Sequence, residues 1–161
     1  MTKVPMTPQG CEKLRQELKR LKTQERYKIA REIETARAHG DLSENAEYDA
    51  AKEKQGLIEA RIRDVESKLA NAEVIDLRNM KSEKVVFGAT VVLEDLDTGE
   101  PLRVQIVGPD EADAKAGKIS VHSPIARALI GKAIEDTAVV KTPGGTKNFE
   151  VKEILFLIDS P

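Results

Sequence analysis

Over the first 76 residues apolar side chains return every third or fourth position, and a short polar run breaks the pattern near its middle. That period belongs to helices, so this part of the chain must fold as two amphipathic arms. In the first arm Thr7 stands as N-cap and Pro8 takes the first helical position, where its missing N–H costs nothing. The seam reads Cys11, Leu14, Leu18 and Leu21, then drifts to Ile29, Ile33 and Ala36. The drift departs from a strict heptad and implies a locally unwound supercoil. Gly40 follows as a left-handed C-terminal cap. The second arm starts within a few residues of Asp41. Its seam is weak at Ala46 and Ala50 and firm at Leu57, Ile58, Ile62, Val65, Leu69 and Ala72. Arms of about 30 residues give a rod on the order of 45 Å.

Charge supports pairing of the arms. Residues 1–40 carry ten Lys/Arg against five Asp/Glu, and residues 41–76 reverse those counts. Opposite arms attract and like arms repel, which favours folding back over parallel self-association, so a monomer is expected. Each exposed pair contributes only a few tenths of a kcal/mol.

Beyond Lys84 the apolar residues alternate or run in β-branched blocks. Candidate strands are 84–94, 102–107, 118–122, 137–141 and 148–158, with hairpin turns at Asp97-Thr98-Gly99 and Pro143-Gly144-Gly145. Ser123, Pro124 and the following residues to Gly131 read as a short capped helix. The fold class is therefore α+β. A helical hairpin spans 1–76, a polar connector 77–83 and a small α+β domain 84–161. With 34% charged residues, 3% aromatics and no Trp, one large core is excluded.

Several function classes fall away. A net charge of −2 rules out a whole-molecule electrostatic glove for nucleic acid. The single cysteine, Cys11, precludes an internal disulfide and lies on the helical seam as a small hydrophobe. The N-terminus lacks a signal-peptide apolar region, and no apolar run is long enough to span a bilayer, so the expectation is a cytoplasmic protein with no membrane partner. His39 and His122 lack metal-ligand companions in the sequence and read as structural.

The polar interruption, Gly40-Asp41-Leu42-Ser43-Glu44-Asn45-Ala46-Glu47-Tyr48-Asp49, holds four acids and no base, with Arg37 and Lys52 as a flanking collar. Two readings stand. Asp41 and Glu44 have capping-box spacing, and acids in a first turn suit the helix dipole. Alternatively, the two carboxylates face one cation. Mg²⁺ takes one or two carboxylates and fills its octahedron with water and phosphate, so this pair is half a site. Completed by a partner that already holds a metal, it suits two-metal phosphodiester chemistry. Arg37 and Lys52 then suit RNA phosphates, or serve only as solvated charges.

The segments GDLSENAEYDAA, VIDLRNM, VVFGATVVL, ISVHSPIARALIGK and VVKTPGG, in that order, resemble the bacterial GreA/GreB family of transcript cleavage factors. The resemblance spans essentially the whole chain. It implies an FKBP-like second domain that docks at the rim of the RNA polymerase secondary channel, and a coiled coil that enters it. It further implies that polymerase, not this chain, is the enzyme that cleaves backtracked nascent RNA. Asp41 and Glu44 match the essential tip acids, which share a Mg²⁺ with the polymerase active site; no cofactor is stably bound. Asn45, Glu47 and Tyr48 continue the tip motif. Arg37 matches an RNA-contacting position, and Lys52 stands where some members have Arg, which removes a bidentate fork. Asp110, Glu111, Asp113, Ser123 and Pro124 match a region near the docking surface. Two rival classes remain at this level. One is a channel-binding inhibitor of the same shape. The other is a coiled-coil adaptor whose tip is only a capped turn.

Overall fold

The computed structural model describes residues 3–40, 45–77 and 81–157. It is an α+β chain in two compact units, one of them Cys11–Asn71. The other joins the N-terminal segment through Gly10 to the chain from Ala72 onward.

The first arm comprises α1 (Pro8–Arg20), a π-helical turn (Leu21–Glu25) and α2 (Arg26–Arg37). Thr7 does cap its start, accepting from the Gly10 N–H at 3.1 Å through Oγ1. Gly40 has the left-handed φ of +96° expected of a helix stop. The second arm is α3 (Ala46–Ala70). Contacts between the arms run in opposite chain directions: Lys22 with Glu66, Arg26 with Glu59, Glu32 with Lys54, and finally Ala36 with Asn45. The hairpin is therefore antiparallel.

The drifting seam has a defined cause. Cys11, Leu14, Leu18, Leu21 and Glu25 keep heptad spacing, which next calls for residue 28. The buried residue is Ile29, and Ile33 and Ala36 follow it in register. One residue has been added between Leu21 and Ile29. The π turn absorbs it, with the Arg26 N–H bonded to the Leu21 carbonyl five residues back. Thr23 contributes by donating its hydroxyl to the Lys19 carbonyl at 2.7 Å, a bond that loosens helices locally. The local change expected from the drift is thus one wide turn.

The second seam differs from the expected one. Tyr48, Ala51, Gln55, Ile58, Ile62, Val65 and Leu69 form an unbroken heptad row, all buried or half-buried. Leu57 is 67% exposed, Ala46 and Ala50 are exposed, and Ala72 leaves the helix altogether. A polar Gln55 in a core position conceals the heptad from an apolar count. Toward the tip Ile29, Ile33 and Ala51 form a core with Tyr48 and Ile58 packed on it.

The second unit begins with a pairing that the sequence does not announce. Strands β1 (Val4–Met6) and β2 (Ala72–Val74) form a parallel two-stranded ladder. Residues 3–10 and 72–76, expected within the hairpin domain, therefore pack with the C-terminal part. Two three-residue strands about 70 positions apart leave no local periodicity to read.

The main sheet has five strands: β3 (Thr90–Asp95), β4 (Pro101–Val107), β5 (Lys118–Ser120), β6 (Thr137–Thr142) and β7 (Gly145–Leu155). Their order is β5-β4-β3-β7-β6, with only the β4–β5 pair parallel. Alternate residues Val91 and Leu93, Val104 and Ile106, Ala138 and Val140, Phe149 and Val151 share one core with Ala126 and Leu129 of α4 (Pro124–Leu129). A bulge in β7 opposite Val92 and Leu93 adds Lys152, whose ammonium reaches Glu94 at 3.1 Å and Glu150 at 2.8 Å. The first strand of the sheet starts at Thr90 rather than Lys84. Gly88, with φ +88°, turns the chain ahead of it, and Val85 instead exchanges backbone bonds with Gly131 and Lys132.

Candidate functional site

The hairpin tip is closed by one buried side chain. Asn45 Oδ1 accepts from the Tyr48 N–H at 3.0 Å, which makes Asn45 the N-cap of α3. Asn45 Nδ2 donates to the Ala36 carbonyl at 2.6 Å, one of the last carbonyls of α2. A single amide thus satisfies a free donor at the start of one helix and adds a bond to a carbonyl at the end of the other, which also accepts from the His39 N–H at 3.1 Å. Asp41 and Glu44 lie outside the described residues. The capping role offered to them by spacing belongs to Asn45, whose extended backbone (φ −89°, ψ 95°) is that of an N-cap.

The other tip residues surround this clamp. Tyr48 is half-buried against the tip core. Glu47 is exposed in the first turn of α3, 3.2 Å from His39 Nδ1 at the end of the first arm. His39, read from sequence as structural, therefore helps to tie the tip. Arg37 ends α2 and is exposed. Lys52 is exposed, with Nζ 3.0 Å from Gln55 Oε1. The structure brings Asn45, Glu47 and Tyr48 together in the first turn of one helix. Arg37 and Lys52 flank them along the chain on the two arms.

Behind the tip, charge pairs lock the arms in register. Arg61 holds Glu17 through two bonds of 2.7 and 2.8 Å, and Arg26 holds Glu59 through two of 2.8 Å. Hydrogen bonding from Arg61 lowers the Glu17 pKa, and hydrogen bonding from Arg26 lowers that of Glu59. Both partner guanidinium groups are raised in turn.

The second group of candidates, in the C-terminal unit, has structural employment. Glu111 accepts from the Gly108 N–H at 3.0 Å and the Thr7 N–H at 3.0 Å, and also from the Thr7 hydroxyl. Its carboxylate fastens the β1 segment to the turn after β4. A Cβ at Gly10 would fall 2.0 Å from Glu111 Oε1, so any side chain there must push this carboxylate aside. Asp113 accepts from the Lys115 N–H at 3.1 Å, and Asp110 is exposed in the same region. Ser123 caps α4 by accepting from the Ala126 N–H at 3.3 Å and donates to the Ser120 carbonyl at 2.7 Å. Pro124 is exposed at the first position of α4. Asp110 and Pro124 present outer surface; Glu111 is committed internally.

Sequence reasoning missed three features: the capping role of Asn45, its second bond and the Thr7–Glu111 clasp. Asn is among the best N-caps, and acids at 47 and 49 mark a first turn, so the cap was readable. Neither long-range bond leaves a sequence signal. Among the described residues no group of three or more His, Cys, Asp or Glu is placed to hold a metal, and no helix is long and apolar enough to cross a membrane.

Two family models match the chain. "Transcription elongation factor, N-terminal" covers residues 4–74, and "Transcription elongation factor, GreA/GreB, C-term" covers residues 80–156. A transcription elongation factor GreA of Ralstonia nicotianae is 56% identical over 98% of this chain and 100% of its own length. A GreA of an Anaeromyxobacter species is 58% identical over 98% of this chain and 95% of its own. Among solved structures, GreA factor homolog 1 of Thermus thermophilus is 32% identical, with 95% of this chain and 99% of that one covered and a TM-score of 0.43.

Proposed function

Because the chain belongs to the GreA/GreB family of transcription elongation factors, which stimulate transcript cleavage by RNA polymerase, we propose that it does so by presenting Asp41 and Glu44 at its hairpin tip. The hairpin enters the polymerase secondary channel, and the acids complete a metal site for hydrolysis of backtracked nascent RNA. The observation that carries this reading is the clamp at Asn45. It ties the start of α3 to the end of α2 at Ala36, and Asp41 and Glu44 stand in the sequence between those two helices.

The chemistry of the donor set fits a shared ion. Two carboxylates supply part of an octahedral oxygen shell, and a partner must supply the rest. The bound Mg²⁺ would stabilise charge developing on the attacking and leaving oxygens. This chain's own residues orient and support. Asp41 and Glu44 would hold the ion, and Asn45, next to Glu44 in the chain, ties the start of α3 to the end of α2. Arg37 and Lys52, exposed behind the tip, steady RNA phosphates. Asp110 and Pro124 belong to the surface that docks at the channel rim. Ser123 shapes that surface by capping α4, and Asp113 by capping the turn before β5. The factor works as a monomer in the cytoplasm.

The test is RNA cleavage in a stalled, backtracked elongation complex supplied with Mg²⁺. The factor should release 3′ RNA fragments, and Asp41→Asn or Glu44→Gln should abolish the stimulation. A factor that deepens arrest instead would place the chain with channel-binding inhibitors.

A further inference from the structure

We infer that Asn45 is a positioning residue for stimulated cleavage, and that its two hydrogen bonds have separable roles. The inference rests on the reading of Asp41 and Glu44 as the working acids.

The Oδ1 bond to the Tyr48 N–H, 3.0 Å, is an ordinary N-cap and stabilises α3. Any good capping residue supplies it. The Nδ2 bond to the Ala36 carbonyl, 2.6 Å, is not part of capping. It reaches nine residues back and pins the first residue of the second arm to the end of the first. Asn45 directly follows Glu44 in the chain. Fixing Asn45 to Ala36 therefore fixes the residue next to Glu44 in the chain. The Asn45 side chain is buried and the bond is short, so the pin is sheltered from competing water. His39 and Glu47 add an exposed tie across the same gap. Holding metal ligands within about half an ångström of working geometry is what supporting hydrogen bonds of this type do. Misplacement by about 1 Å can lower a rate on the order of a hundredfold.

The chemistry of Asn explains the choice. Asp and Ser cap a helix as well as Asn but lack an amide N–H₂. Stability alone would admit any of the three. Only Asn caps α3 and also donates to Ala36.

The experiment compares Asn45→Asp, Asn45→Ser and the unaltered chain in a reconstituted backtracked elongation complex. Three quantities are read: melting temperature of the free factor, affinity for polymerase by competition, and the cleavage rate at saturating factor across a Mg²⁺ titration. Both variants keep the cap and should melt and bind close to the unaltered chain. Both should cleave about tenfold or more slowly at saturation and need more Mg²⁺, as expected of misplaced ligands. A purely structural cap would leave the saturated rate and the Mg²⁺ requirement unchanged, which would overturn the inference. A loss confined to Asn45→Asp would trace to its added charge and overturn it equally. Asp41→Asn run alongside separates the two levels. If Asp41→Asn abolishes cleavage while both Asn45 variants work normally, the acids stand and the positioning role falls. If Asp41→Asn also cleaves normally, the underlying reading falls with it.

Discussion

Asn45 donates to the Ala36 carbonyl across 2.6 Å and so fastens the start of the second arm to the end of the first. The N-cap of α3 is therefore Asn45, not Asp41. Asn45→Ala should cost about 1–2 kcal/mol in urea unfolding, mainly from the lost cap, since the Ala36 carbonyl keeps the His39 N–H. Asp41→Ala should stay within about 0.5 kcal/mol of the unaltered chain. A larger Asp41 effect would return the capping role to it.

The π turn predicts an asymmetry between deletions. Removing Gln24 takes away the added residue and leaves Ile29, Ile33 and Ala36 on a continuous heptad, so the hairpin should melt at or above its normal temperature. Removing Arg31, equally exposed but between Ile29 and Ile33, turns Ile33 and Ala36 off the seam. That variant should lose most hairpin cooperativity in a circular-dichroism melt.

The charge pairs predict acid lability that salt suppresses. The folded pKa values of Glu17 and Glu59 are lowered by hydrogen bonds from Arg61 and Arg26. Lowered carboxylate pKa values stabilise the fold above the unfolded pKa, and that contribution is lost as pH falls through the folded one. The melting temperature should hold steady near neutrality and drop below about pH 4.3. Repeating the titration in 1 M salt should shrink the drop, most of all the part from the exposed Arg26–Glu59 pair, since the Arg61–Glu17 pair is half-buried. At pH 7, Glu17→Gln should cost about 0.5–1 kcal/mol.

The Glu111 clasp predicts local opening. Glu111→Ala leaves the backbone donors of Thr7 and Gly108 without their carboxylate partner. It should lower stability by about 1–3 kcal/mol and speed amide exchange at β1 and β2 more than at β3. Gly10→Ala should act the same way, since its methyl would displace the Glu111 carboxylate. Unchanged exchange at Val4–Met6 in both variants would contradict the clasp.

Much of this was legible in the residues, and what was not has physical causes. Thr7, Pro8, Gly40, Ser123 and Pro124 announce helix ends because their chemistry is local. The change of period after residue 76 announces the α+β division. Gln55 hid the second seam because it is a polar residue in a core position, and Leu57 took its place in the apolar count. The β1–β2 ladder, the Thr7–Glu111 clasp and the Asn45–Ala36 bond join residues through space. Asp41-x-x-Glu44 has the spacing of a capping box, yet the helix starts later, at Ala46. The spacing of the two acids therefore does not mark the start of α3.

The most direct test of the metal reading is the rate of RNA cleavage by backtracked polymerase at saturating Asp41→Asn factor. The prediction is a rate no higher than polymerase alone, from a protein that still melts and binds polymerase normally. Cleavage at the unaltered rate would contradict the account.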